Sequence, residues 1–279
     1  MQIIGIGTGG SKIAGALSQI DGYSCLAIDN RFNDNNPNLI KLKIEEQETF
    51  KDYEEKTFLD ISDKIVDNEV HVFLFGGGKT TGSVLRILEG IKDKKINIHY
   101  IKPEKSFLSS KQVLRERATF GILQEMSRSA IFERIMLYDT EAVLNGAEVS
   151  FLHKNNLVVK TVADTFHMMN YVKSSQGVFS NTEKPTEINR IGSFGVVNPK
   201  NGEEVLYFSL DTQREKCYYF VMNNDALQKP GLVEKINNQL KRDDASCSFK
   251  IVESQWENNH VYVEAFTNVV QTSQNQTEE

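Results

Sequence analysis

The sequence predicts an α/β protein: a doubly wound parallel sheet forming a nucleotide-binding domain, a long central helix, and a smaller mixed α/β domain at the C-terminal end. Three observations predict it. Apolar strand-like runs alternate with helical patterns through the first half. Two glycine-rich loops, Gly5-Ile6-Gly7-Thr8-Gly9-Gly10-Ser11 and Gly76-Gly77-Gly78-Lys79-Thr80-Thr81-Gly82-Ser83, each stand directly behind an apolar run. Past Leu137 the pattern changes to one long helix followed by a strand-rich remainder.

In chain order, strands are expected at 2–6, 23–29, 70–75, 96–101 and 131–137, with helices at 11–20, 55–66, 81–91 and 108–127 between them. A run of this kind builds βαβ units with helices on both faces, and ligands of such sheets sit at the carboxyl ends of the strands. Both glycine loops fall there. The stretch 149–178 gives the long helix, with Val158, Val162, Phe166, Met169 and Val172 on its apolar face. Strands are expected at 204–210, 216–222, 246–253 and 260–267, a helix at 227–240, and a short turn at Asn258-Asn259. The expected organisation is therefore 1–147 nucleotide-binding, 148–180 central helix, 181–268 smaller domain and 269–279 disordered tail.

Composition narrows the classes. The chain has 279 residues, 39% hydrophobic and 25% charged, as in a globular protein with a large core. A net charge of −6 gives no broad nucleic-acid footprint. No apolar run reaches membrane-spanning length and Met1 leads straight into a strand, so the expected location is the cytoplasm, with no membrane partner. Cys25, Cys217 and Cys247 are too dispersed for a disulfide framework or zinc site, and the five histidines include no ligand-spaced pair; no metal ligands are expected.

The loops carry the chemistry. Glycine lets backbone N–H groups turn toward an anion, and a following helix adds the positive end of its dipole. Gly5, Gly7 and Gly10 satisfy G-x-G-x-x-G with Asp29 closing the second strand, which is the pattern of a dinucleotide-binding oxidoreductase. Gly78-Lys79-Thr80 imitates the end of a P-loop, but the first glycine that motif requires is Phe73. Two loops of this kind suggest one nucleotide held from two sides.

Both loops, their order and the later layout resemble the tubulin/FtsZ family. Ile3–Ser11 resembles its first phosphate loop; Leu26-Ala27-Ile28-Asp29-Asn30 resembles the second strand, whose end approaches the nucleotide. Gly76–Ser83 is similar to the signature GGGTGTGS, with Lys79 and Thr80 substituted, and Ile101-Lys102-Pro103 to the strand end before the sugar-binding loop. Asn155 or Asn156, and then Val162-Ala163-Asp164, resemble the guanine-reading Asn and Asp of the long helix.

The resemblance implies GTP or GDP as ligand, with room for Mg2+, and a head-to-tail filament of copies of the chain. It implies phosphate contacts from Gly7, Thr8, Gly9, Gly10, Ser11, Gly76, Gly77, Gly78, Lys79, Thr80, Thr81 and Gly82. Asp29 and Asn30 would lie beside the nucleotide, and Lys111 near the sugar. Asn155, Asn156 and Asp164 would read the base. The hydroxyls of Ser11 and Thr81 would add donors.

Departures from the family pattern are as informative. The interval 33–67, where the family carries a γ-phosphate-embracing glycine loop, has no glycine. The sugar-contacting Glu and Arg are replaced by something like Leu108 and Lys111. The water-orienting N-x-D-x-x-D loop is matched to Glu187-Ile188-Asn189-Arg190-Ile191-Gly192-Ser193, where Glu187 is the only carboxylate and Arg190 places a cation. Glu187 is thus the single catalytic candidate, and weak or absent hydrolysis is expected. A pseudo-GTPase with a structural or partner-binding role is the alternative within the family. The short chain would suit a phage-encoded or otherwise minimal filament protein.

Overall fold

A computed structural model describes residues 1–32, 35–147, 149–241 and 244–272, without the side chains of Phe151 and Leu152. The strands of the first half are β1 (Gln2–Ile6), β2 (Ser24–Asp29), β3 (Leu39–Lys43), β4 (Glu69–Phe75), β5 (Lys95–Lys102) and β6 (Arg134–Asp139). They are all parallel, in the spatial order β3-β2-β1-β4-β5-β6. All five residues of β1 are buried, as a central strand covered on both faces requires.

Helices cover both faces. On one lie α1 (Gly7–Leu17), α5 (Thr140–Leu144) and the long α6 (Phe151–Ser174), sharing a core with Ile3, Phe73 and Tyr138. On the other lie α2 (Phe50–Lys56), α3 (Val84–Glu89) and α4 (Ser110–Arg128), packed on Ile4, Val72, Tyr100 and Leu137. The alternation of burial along the strands divides these two cores, since successive side chains point to opposite faces.

The second half continues the same sheet. β8 (Ile191–Val197) pairs in parallel with β6 over two residues, Ile135 with Ile191 and Met136 with Gly192. Beyond it come β12 (His260–Thr267), β10 (Glu215–Met222), β11 (Ser246–Glu253) and the two-residue β7 (Phe179–Ser180). β9 (Glu204–Leu206) pairs with β8 off this path. α7 (Asn224–Leu227) and α8 (Leu232–Leu240) complete the domain, with Ile236 packed against Tyr218 and Phe249.

Several boundaries differ from the sequence expectation, each for a local reason. The expected helix at 55–66 is α2, seven residues starting earlier. A Thr49–Asp52 capping box sets its start, the helix stops where Thr57 turns extended, and a short 3-10 turn, Ser62–Lys64, follows between the buried Ile61 and Ile65. The expected helix at 227–240 is split by Lys229-Pro230-Gly231, where Gly231 is left-handed at φ +70°. β3 and β8 were not expected, the latter because two glycines in seven residues mask its strand character. Residues 269–272, expected to belong to the tail, are among the described residues. Gln271 is 2% exposed and exchanges hydrogen bonds with Gln124 of α4, its backbone N–H donating to Gln124 Oε1 at 2.8 Å. Residues 273–279 lie outside the described residues.

Candidate functional site

The strand order β3-β2-β1-β4-β5-β6 reverses direction between β1 and β4, and the crevice at such a switch point is where open α/β sheets take ligands. Ile6 and Leu74 are register partners at the carboxyl ends of those two strands, so both glycine loops emerge side by side. They touch. A Cβ on Gly7 would stand 2.7 Å from Thr80 Oγ1.

The first loop is nearly all helix. α1 begins at Gly7, whose φ of +72° is the left-handed turn that lets the chain enter the helix straight from β1. Gly10 answers a different need: a Cβ there would lie 2.2 Å from the Phe73 carbonyl oxygen, so α1 seats directly on β4. Among the described residues no side chain caps this N-terminus, and its first turn holds no acid. Its amides therefore face the crevice with the dipole's positive end and without an internal acceptor. A phosphate fits that donor set.

The second loop, Gly76–Lys79, ends in a 3-10 turn over Thr80–Ser83. Thr81 Oγ1 donates to the Gly78 carbonyl at 2.6 Å, and Ser83 Oγ to Thr80 at 2.7 Å. These hydroxyls brace the loop. Ser11 Oγ likewise faces the Gly5 carbonyl at 3.5 Å. Ser11 and Thr81, expected to donate to phosphate, here face carbonyls of their own loops, and Thr80 is the hydroxyl at the junction of the loops. Lys79 is exposed on the loop itself.

Asp29 ends β2 and is 1% exposed. It accepts from Thr8 Oγ1 and from the Asn30 N–H, both at 2.9 Å. Burial pushes its carboxyl above the ordinary range, and these two hydrogen bonds work against that rise. It ties the first turn of α1 to the neighbouring strand. Each of its oxygens accepts one of these bonds, so the carboxylate braces the start of α1 from the end of β2. Asn30 Nδ2 donates to Tyr53 OH at 3.0 Å, joining the end of β2 to α2.

Behind the second loop, Leu108 and the Gln112 carbonyl lie 3.5–3.6 Å from the position of a Gly77 Cβ. Lys111 is exposed in the first turn of α4, which starts with a Ser109–Gln112 capping box. Glu116, one turn further, is buried beneath Gly76, with Tyr100 OH donating to its Oε1 at 3.3 Å. Burial raises its carboxyl, with Lys102 opposing.

The long helix reaches the same edge at its N-terminal end. Lys154 pairs with Glu104, in the loop after β5, and lies 5.1 Å from the Phe107 ring centroid. Asn155 and Asn156 follow, both exposed. Asp164 does not join them. Eight and nine residues on, it stands about 12–14 Å further along the axis, paired with Lys160 and 55% exposed. One turn past it, His167 Nδ1 meets Tyr23 OH at 3.0 Å, and Tyr23 precedes β2 at the opposite edge of the sheet. Asp164, which the resemblance assigned to the base, therefore lies further along α6 than Asn155 and Asn156.

The opposite edge is built differently. α6 ends at Ser174, and the buried Lys250 ammonium donates to the carbonyls of Lys173 (2.9 Å) and Ser175 (2.6 Å). Ile191–Ser193, expected within the catalytic loop, belong to β8. Asn189 is buried and donates to Glu215 Oε1 at 2.8 Å. Arg190 donates to the Glu133 carbonyl at 2.8 Å, with that residue's carboxylate 3.7 Å away. The expectation that Arg190 presents a cation to a neighbouring molecule is therefore corrected. Glu187 is exposed at this edge, remote from the glycine loops.

Two residues at the crevice were missed. Arg31 and Glu46 form an ion pair at its rim, one guanidinium nitrogen reaching both carboxylate oxygens at 2.8 and 2.7 Å. The signal lay in Glu45-Glu46-Gln47-Glu48, an acidic run standing in the glycine-free interval. A separate cavity of about 700 Å³, lined by Leu85, Met126 and Phe132 with a mixed-charge border, lies between α2, α3 and α4 and includes none of the loop residues.

A parallel sheet with a two-loop crevice at its switch point, a long helix crossing one face and a mixed domain extending the sheet defines a doubly wound α/β architecture with a ligand crevice. Solved structures specify it further: the chain has the tubulin/FtsZ fold. It is similar to the empty FtsZ dimer of M. jannaschii, with a TM-score of 0.71 and 12% identity over 95% of this chain and 87% of that one. CetZ2 from Haloferax volcanii, a GTPγS-bound protofilament, gives 0.70 and 12% over 95% and 92%. The GDP-form protofilament of TubZ from Bacillus thuringiensis serovar israelensis gives 0.69 and 14% over 97% and 87%. No protein-family model and no curated protein sequence matches the chain.

Proposed function

We propose that the protein binds a guanine nucleotide between its two glycine loops and assembles head to tail with copies of itself, with slow or no hydrolysis. One observation carries the binding: the uncapped start of α1 meets the second loop at Gly7 and Thr80, at the switch point of the sheet. Amides of 7–11 and 76–82 would hold the diphosphate, with Lys79 adding charge. Asn155 and Asn156, at the crevice end of α6, would meet the base edge, and Lys111 the sugar side. Mg2+ bridging the terminal phosphates is compatible with these donors.

Assembly draws support from the neighbours that were themselves solved as GDP-form and GTPγS-bound protofilaments. A head-to-tail contact is heterologous and does not close, so it propagates. In it the crevice edge of one copy faces the 175–190 edge of the next. Glu183 and Glu187 are the only carboxylates of that segment. Losing groups that orient or activate water typically costs ~10²–10⁴-fold in rate, which is the basis for slow turnover.

Equilibrium titration with fluorescent GDP, GTP and ATP tests the binding. Guanine nucleotides should bind more tightly than ATP, and Asn155→Ala/Asn156→Ala should erase that preference. A protein that binds none of the three is not a nucleotide-binding protein. Sedimentation with saturating GTP tests assembly, and protein that stays monomeric at high concentration overturns it. GTP turnover abolished by Glu187→Gln would show a working catalytic acid and overturn the slow-hydrolysis reading.

A further inference from the structure

The rim of the crevice on the β2–β3 side is charged rather than glycine-rich. Arg31, two residues past β2, donates from one guanidinium nitrogen to both carboxylate oxygens of Glu46, at 2.8 and 2.7 Å. Glu46 lies between the end of β3 and the Thr49 cap of α2. Arg31 beside it, with Lys79 and Lys43 adding to the field, holds its carboxyl below the ordinary range. Arg31 is the cation in contact with this carboxylate.

This rim is fixed to both loops. A Cβ on Gly82 would meet the Phe50 carbonyl oxygen at 2.3 Å, so the second loop seats on the start of α2. Asp29, two residues before Arg31, is held by Thr8 of the first. The ion pair itself is loose: the side chains are 70% and 58% exposed. Exposed pairs contribute little, because water and salt screen them and two long side chains must be held in one geometry. A guanidinium fork binds phosphate with the geometry it uses for carboxylate, and a phosphate group brings more charge.

Resting on the nucleotide-binding reading, we propose that Glu46 holds the place of a terminal phosphate, and that Arg31 exchanges it for the γ-phosphate of an entering triphosphate, with Lys79 on the other side. Side-chain cations then distinguish triphosphate from diphosphate where the interval 33–67 offers no glycine-borne amides. Glu46 is released in the exchange, freeing the approach to α2. The Arg31–Glu46 pair is therefore both a selector and a ligand-dependent latch.

Fluorescent GTP and GDP are titrated separately into the full chain, wild type beside Arg31→Ala and Glu46→Gln, with thermal melts confirming that each variant is folded. The wild type should prefer GTP by about tenfold, the scale of one charge-assisted contact. Arg31→Ala should bring the preference to within about twofold, and Glu46→Gln, which removes the competitor, should raise it about threefold. Movement in opposite directions is the signature, because a merely structural pair would shift both variants alike. A GTP-to-GDP ratio that Arg31→Ala leaves at its wild-type value overturns this proposal while nucleotide binding stands. A wild type that binds neither nucleotide overturns both.

Discussion

The two edges of the parallel sheet treat their polar groups in opposite ways. At the carboxyl edge, the first turn of α1 has no side-chain cap, Lys79, Asn155 and Asn156 are exposed, and the Arg31–Glu46 pair is loose and solvated. At the amino edge, Arg190 is bound to Glu133, Asn189 to Glu215, and Lys250 to the end of α6. One edge keeps its donors available to a ligand; the other has spent them on its own chain. The difference shows why nucleotide holding and water activation are separable here: the first needs donors without internal partners, and the 175–190 segment presents only Glu183 and Glu187 as acids.

Substitutions can break this comparison, and the largest effect is expected at Gly10. Gly10→Ala puts a Cβ 2.2 Å from the Phe73 carbonyl, backbone that cannot yield without moving β4. A loss of about 3 kcal/mol or more is expected, read as a drop in denaturation midpoint. A folded Gly10→Ala of near wild-type stability would mean that α1 is not seated as described.

Between the two edges lies a buried polar chain. His71 Nδ1 meets His99 Nε2 at 3.0 Å, and His99 Nδ1 meets Tyr138 OH at 3.0 Å. Burial pushes His71 down to about 3 and His99 well below its usual value. The unfolded chain therefore takes up protons near pH 6.5 that the folded chain refuses, so stability is full above that pH and lost as pH falls toward 3. About 2 kcal/mol from His71 should disappear by pH 5, and His99 adds a loss of the same sign. Melting temperature against pH measures the slope, and His71→Leu/His99→Leu should flatten it. An unchanged slope in that variant would assign acid sensitivity elsewhere.

At the amino edge, Arg190→Ala removes a charge-assisted bond to a backbone carbonyl, expected to cost about 1.5 kcal/mol while leaving nucleotide affinity as it was. An effect on affinity instead of stability would move Arg190 back into the ligand's reach. The smallest effect belongs to Asp164. Asp164→Ala loses one exposed i,i+4 pair, about 0.3–0.5 kcal/mol, without changing GTP preference over ATP; a lost preference would restore Asp164 as the base reader.

By itself the sequence determined the alternation of strands and helices, the two glycine loops and their shared edge, and the presence of one long helix after them. All of these follow from short-range periodicity and from residues whose backbone freedom is local. What depends on distance through space came only with the tertiary structure. Asp164 and Asn155 are equally polar on one helix, and only the rise per residue, with the anchors Lys154–Glu104 at one end and His167–Tyr23 at the other, separates them. Arg190 reads as a free cation until β8 pairs with β6 and brings it to Glu133. Arg31 and Glu46 are 15 residues apart and unremarkable until β2 and β3 lie in register. Which charges are spent and which are available is a property of partners, and partners are brought together by strand pairing and helix docking, which no local pattern of residues encodes.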